Sequence, residues 1–437
     1  MAALAALREI EASGAPLDAG QWQTFYRLPA NLPDRTDIVL DAIAEAPGLA
    51  VLREEFGMSP FMGFGMPLDK VPPPGEQWEE LANAQELVSR HSAVLKQLHK
   101  ALEQPCAIRF PTDPRAYPNT RPQHHSQYNA ALRLLRADMA VKGHGGDSPA
   151  ALATLVAMIR LEGAWLTVPD AEQMNFALTN WELLAQAVGW YLSYGNGTEQ
   201  DLQLLTAEVK RIDLEQATER AVIGTRALVI DVFRRGDLAA AEYQNSLFLL
   251  AKNLDLPAGS DWVKVRSRDV LEVLATFTKA AHAAKVGFPA ALPEYDEIKL
   301  EMDNVKLQPA ETRNNLQPLF GREAETTLRW CQVLGAFQQT SLVGIATTRY
   351  RLRHKMLPDQ LTDLVPNYLS AIPLDPYVVD QPLQYRQDGV SFVVYSCYSN
   401  RADDEGKIRG TPAKDIGVYV RGTVVEPQSD GENTKAE

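Results

Sequence analysis

The stretch RYRLRHKMLPDQLTDLVPNYLSAIPLDPYVVDQPLQYRQDGVSFVVYS, residues 349–396, decides the fold reading. It opens on a helix end: Arg349, Arg351, Arg353, His354 and Lys355 suit the negative pole of a helix dipole, and Pro358 stops the helix. Leu361, Leu364 and Val365 make one short amphipathic turn, closed by Pro366. Pro373 and the Asp375-Pro376 pair then set an extended segment and a turn. Leu383–Arg386 and Val390–Tyr395 alternate about Gln387-Asp388-Gly389, the pattern of a β-hairpin, and a third strand is expected at Ile416–Val420.

Upstream, 322–353 reads as one long helix with Leu334, Phe337, Leu342, Ile345 and Ala346 on its apolar face. Helices are expected near 127–142, 148–165, 170–194, 198–211, 213–235, 238–253 and 266–286, joined by short turns such as GHGGDSP, TVPD and YGNGTEQ. Short turns make consecutive helices antiparallel neighbours, so this region reads as a stack of helical hairpins. It is repeat-like but lacks the tetratricopeptide consensus. LPEYDEIKLEMDNV adds one short helix. Nearer the start, Met1 to Ala15 reads as an amphipathic helix, a loop rich in proline and aromatics follows, and an apolar helix is expected near 36–55. A single helical pattern runs from Glu76 to about Glu103. Proline-rich connectors are expected at 59–78 and after Cys106.

The fold expected is therefore mainly α: a helical-hairpin domain over 1–320, with a sub-boundary near 105–126, and a small α+β domain over 321–437. That second domain carries the long helix, a short antiparallel sheet and a disordered tail from about 424. A chain of 437 residues with 45% hydrophobic residues is long enough for such a division. Its net charge of −13 and lack of a Lys/Arg cluster argue against nucleic acid as a partner. Cys106, Cys331 and Cys397 have no metal-binding spacing and read as small buried residues. No apolar run reaches the length of a membrane span, so the chain as it stands reads as soluble.

The order of pieces in the tail resembles the C-terminal domain of the major pseudopilin of type II secretion systems, and similar tails in bacterial envelope proteins. Those pieces are Tyr350-x3-His354-x2-Leu357-Pro358, Val365-Pro366-x-Tyr368-Leu369, Pro373-x-Asp375-Pro376, Pro382-Leu383-x-Tyr385-Arg386, Tyr395-Ser396 and Asp415-Ile416. They cover roughly the last quarter of the chain. The resemblance implies an α+β pilin-like domain, export to the periplasm or cell envelope, and tethering through an anchor preceding Met1. It also implies a calcium site in the loop that carries Asp403, Asp404, Glu405 and Asp415, with Ser396 and Asn400 nearby. Lys407, Arg409 and Lys414 lie among those acids and offset their charge. About 320 residues precede the long helix, where a pseudopilin has its membrane segment at once.

Other constellations read more plainly. His124, His125 and His144 lack metal-ligand spacing, and His91 and His99 are two helical turns apart. Glu215 with Glu219, and Asp296 with Glu297, are paired acids on Arg-bearing helices and read as solvated or ion-paired. Trp181, Trp190, Tyr191 and Tyr194 lie on or beside one helix and read as an inter-helix core, with a partner groove as the alternative. No catalytic signature is found. Three roles follow: a non-enzymatic envelope scaffold binding a protein or peptide, an enzyme with a site assembled from scattered residues, or a filament subunit.

Overall fold

Capping residues fix where several of the helices begin. Asp147 accepts from the Ala150 amide and starts helix Ser148–Trp165; Asp170 accepts from Glu172 and starts helix Ala171–Tyr194. Thr198 and Asp201 cap helix Glu199–Lys210 reciprocally. A computed structural model describes residues 2–47, 68, 71–117, 125–235, 267–305, 307–309, 314, 316–408 and 414–422. Its helices are α1 Ala2–Ala12, α2 Ala19–Phe25, α3 Thr36–Ala44, α4 Leu81–Arg90, α5 Ser92–Ala101, α6 His125–His144 and α7 Ser148–Trp165. They continue with α8 Ala171–Tyr194, α9 Glu199–Lys210, α10 Leu214–Arg235, α11 Ser267–Val286, α12 Leu292–Val305 and α13 Arg322–His354. The helix expected near 238–253, most of the connector 59–78 and the tail from about 424 lie outside the described residues.

Consecutive helices α6, α7 and α8 pack on one another, α9 lies on α7 and α13, and α10 and α11 form a further pair. The long helix α13 is the shared wall: it touches α8, α9, α10, α11 and α12 along its length, and the second and third strands of the sheet. Those strands are β1 Gln384–Asp388, β2 Ser391–Ser396 and β3 Ile416–Val420, antiparallel in the order β1-β2-β3. The chain is thus mainly helical, with a small three-stranded sheet near its C-terminus. One continuous buried cluster reaches from Trp22 to Val420, and a smaller one, Ile10, Leu17, Ile230 and Leu274, seats α1.

A close approach sets the position of the sheet. A Cβ at Gly189 of α8 would stand 2.8 Å from the Tyr419 carbonyl, so glycine lets β3 lie directly on that helix. Just beyond β3, the Arg421 amide donates to Ser193 Oγ of α8 at 2.9 Å. The outer edge of β3 is covered by a helix rather than left as a template for another strand.

Four elements differ from the sequence reading. The helix expected near 36–55 ends at Ala44, residues 45–47 being non-helical and 48–55 outside the described residues. The pattern expected as one helix over 76–103 is two, broken at His91, because α4 lies on α6 whereas α5 lies on α3, α6 and α7. The expected loop after Gly14 contains α2, a helix too short to show a period. Asp18 caps it, and Trp22 anchors it by donating Nε1–H to the Pro169 carbonyl at 2.9 Å. The hairpin turns at Gly389-Val390, since Asp388 already pairs with Ser391. Gly389, at φ +60, supplies the left-handed residue that a two-residue turn requires.

No helix among the described residues is long and apolar enough to cross a membrane.

Candidate functional site

The loop between β2 and β3 carries the acids singled out in the sequence. It leaves β2 at Ser396, crosses Tyr398–Asn400, and turns through Arg401, Glu405 and Gly406, all with positive φ. Each carboxylate has its own set of donors. Asp403 Oδ1 accepts from Tyr395 Oη at 2.9 Å and from the Glu405 amide at 2.8 Å. Asp404 accepts from Asn400 Nδ2 at 2.7 Å and from Lys414 Nζ at 3.0 Å, and these two groups hold its pKa below the ordinary carboxylate value.

Asp415 is different. It is 1% exposed; Oδ2 accepts from the Gly406 and Lys407 amides at 2.9 and 3.0 Å, while Oδ1 is buried with no hydrogen-bond partner among the described residues. Burial raises its pKa, against the lowering effect of the backbone amides of Lys407, Asp404 and Gly406. The Ser396 hydroxyl donates to Asp375 Oδ1 at 2.7 Å and is committed to that contact.

Asp375, expected from the sequence as part of a turn and of the Pro373-x-Asp375-Pro376 piece but with no site role, organises this end of the sheet. It is fully buried, and its carboxylate accepts from Ser396 Oγ, the Cys397 amide at 2.8 Å and the Tyr377 amide at 2.9 Å. It ties the Pro373–Pro376 turn to the end of β2. The Cys397 thiol is pushed up to about 12 by burial first, then by Asp375, Asp403 and Asp415, so the fields of three carboxylates overlap there. The loop is also clamped to the helices: Arg401 donates to both oxygens of Asp296 on α12, at 2.8 and 2.5 Å.

Among the described residues no three His, Cys, Asp or Glu side chains form a metal-binding group; residues 409–413 of this loop lie outside them. Calcium coordination here would draw on backbone carbonyls beside the carboxylates.

The remaining candidates separate. His124 lies outside the described residues. His125 and His144 are the first and last residues of α6, roughly 28 Å apart at the helical rise per residue. His125 packs on Phe176 and His144 on Trp78. His99 meets Asp138, whose Oδ2 also accepts from Lys142 Nζ at 2.6 Å and Thr154 Oγ1 at 2.9 Å, a cluster joining α5, α6 and α7. Asp296 and Glu297 diverge, toward Arg401 and Lys279 respectively. Glu215 is exposed beside Gly287. Trp181, Trp190, Tyr191 and Tyr194 are all buried, so this face is inter-helix core and not an open groove. The three thiols are unpaired.

No family model matches the chain, and no curated protein or solved structure matches it.

Proposed function

We propose that the chain is a non-enzymatic, envelope-associated scaffold that binds another protein, with a pseudopilin-like helix-and-sheet unit at its C-terminus organised by calcium. The observation that carries this reading is the buried Asp415 carboxylate, with one oxygen held by two amides and the other without a hydrogen bond among the described residues. A buried anionic oxygen without a partner is costly, and a divalent cation is the chemistry that relieves it. The field of Asp404 on Asp415, and of Asp403 and Asp415 on Tyr395, adds negative potential at the same place.

A loop ordered in this way would fix the surface between β2 and α12, because Arg401 and Tyr398 leave it toward Asp296 and Tyr377. Side-by-side helical hairpins supply the extended surface suited to a protein or peptide partner.

The test is the thermal unfolding midpoint of the full chain in millimolar calcium, in magnesium and in chelator, for the wild type, Asp404→Asn and Asp415→Asn. Calcium raises the midpoint of the wild type and has little effect on either variant, since a ligand of the folded state stabilises by mass action. An equal midpoint in calcium and chelator overturns the calcium site. Recovery of the natural full-length protein in the cytosolic fraction overturns the envelope assignment.

A further inference from the structure

Three guanidinium groups converge on the last turn of α2. Arg27 Nε donates to the Thr24 carbonyl at 2.9 Å, and Arg220 Nη2 to the Phe25 carbonyl at 2.8 Å. Arg109 Nη1 donates to the Tyr26 carbonyl, and Nη2 to the Gln23 carbonyl and to Gln23 Oε1 at 3.1 and 3.0 Å. Arg109 stacks on the Tyr26 ring at 4.5 Å and Arg220 on the Phe25 ring at 4.7 Å. Among the described residues, none of the three forms an ion pair with a carboxylate.

Capping a helix end accounts for part of this arrangement, because cations favour terminal carbonyls. It does not account for the charge. A helix C-terminus presents about half a negative charge, fully developed only in helices longer than this one, against three cations. Burial holds Arg220 below its ordinary pKa, opposed only by the Tyr26 phenol and by no carboxylate, as expected of a cation short of a counter-charge. In a chain of net charge −13, such a group is an excess of positive charge in one place.

A concavity of about 480 Å³ opens at Arg109, lined by Gln23, Tyr26, Phe110, Pro111, Thr112 and Asp113. Its walls are held: Gln23 Nε2 donates to the Thr112 carbonyl, and Tyr26 Oη accepts from the Phe110 amide at 2.9 Å. Asp113 is the one acid of the lining, and one of its oxygens already accepts from the Arg115 amide. The Arg109 guanidinium has five N–H groups, of which three are used by neutral oxygens.

We propose that this concavity is a binding site for the anionic group, carboxylate or phosphate, of a small molecule whose remainder lies over exposed Pro111, Tyr26 and Phe110 being buried beneath the floor. Arg109, held in place by Gln23 and Tyr26, contacts the anion. Arg27 and Arg220 act through the field alone.

The experiment is titration of the full chain at constant ionic strength with inorganic phosphate, phenyl phosphate and benzoate, read by calorimetry and by unfolding midpoint. Saturable binding of inorganic phosphate or phenyl phosphate assigns the site to phosphates, and benzoate binding without phosphate binding assigns it to carboxylates. Arg109→Gln abolishes binding, and Arg27→Gln, at an exposed residue, weakens it about twofold through the lost charge. No saturable binding of any of the three compounds overturns the proposal, as does unchanged affinity in both variants. If Arg109→Gln does not fold, unchanged affinity in Arg27→Gln is sufficient to overturn it.

Discussion

Glu162 offers the sharpest test of the helical interior. It lies on α7, fully buried; Oε1 accepts from Tyr128 Oη of α6 at 2.6 Å, and Oε2 faces the Asn180 amide without a well-formed hydrogen bond among the described residues. Around it Tyr128 stacks on Trp165 at 4.0 Å between ring centres, and Phe110 meets both rings edge-on. Burial raises its pKa from 4.5 to about 8, against the lowering effects of the Tyr128 hydrogen bond and of the nearby Asn180 amide. The folded state therefore keeps a proton that the unfolded chain gives up above pH 4.5. Stability from this group is fully present below that pH, declines as pH rises toward about 8, and is level beyond. At about 1.4 kcal/mol per pKa unit, the whole change is roughly 5 kcal/mol. Glu162→Gln keeps an acceptor for Tyr128 and removes the titration. Urea unfolding followed by circular dichroism at pH 5, 6, 7, 8 and 9 should show wild-type stability falling more steeply than that of the variant, the gap growing by a few kcal/mol. Parallel curves for the two proteins would refute the reasoning, because every other titrating group is common to both.

Three further outcomes follow from the packing. A Cβ at Gly143 would lie 2.5 Å from the Trp190 ring, so Gly143→Ala should cost about 1–3 kcal/mol in denaturant unfolding, with Trp190→Phe recovering part of it; a neutral Gly143→Ala would count against this contact. Arg160 grips both oxygens of buried Glu208, at 3.1 and 2.6 Å, and caps the Leu102 carbonyl at 2.8 Å. Arg160→Ala leaves Glu208 only the longer contact to Arg211 at 3.4 Å and should cost about 3 kcal/mol, which unchanged unfolding would contradict. Asp375→Asn removes the charge that accepts from Ser396, Cys397 and Tyr377 and should cost about 1–3 kcal/mol. Hydrogen exchange at the Cys397 and Tyr377 amides should quicken, and exchange at the wild-type rate would remove the anchoring role of Asp375.

The sequence alone determined what short-range physics controls. A cap such as Asp147, Asp170 or Thr198 and the apolar period after it act within a few residues. Helices 148–165 and 171–194 were therefore legible within a residue of their ends, as were Leu292–Val305 and the strand at Ile416–Val420. The acids of the β2–β3 loop were legible as a group because they are close in sequence. The tertiary structure decided which distant groups meet. Asp375 reaches Ser396 across twenty-one residues, His99 reaches Asp138 across thirty-nine, and Arg401 reaches Asp296 across one hundred and five. Helix α2 and the break at His91 likewise follow from the surfaces they cover and not from local preference. The reason is that a side chain's partner and pKa depend on what is buried beside it. Burial is a property of the assembled core, and no period or spacing in the chain records that Glu162 lies under Tyr128 or that one Asp415 oxygen lacks a hydrogen bond among the described residues.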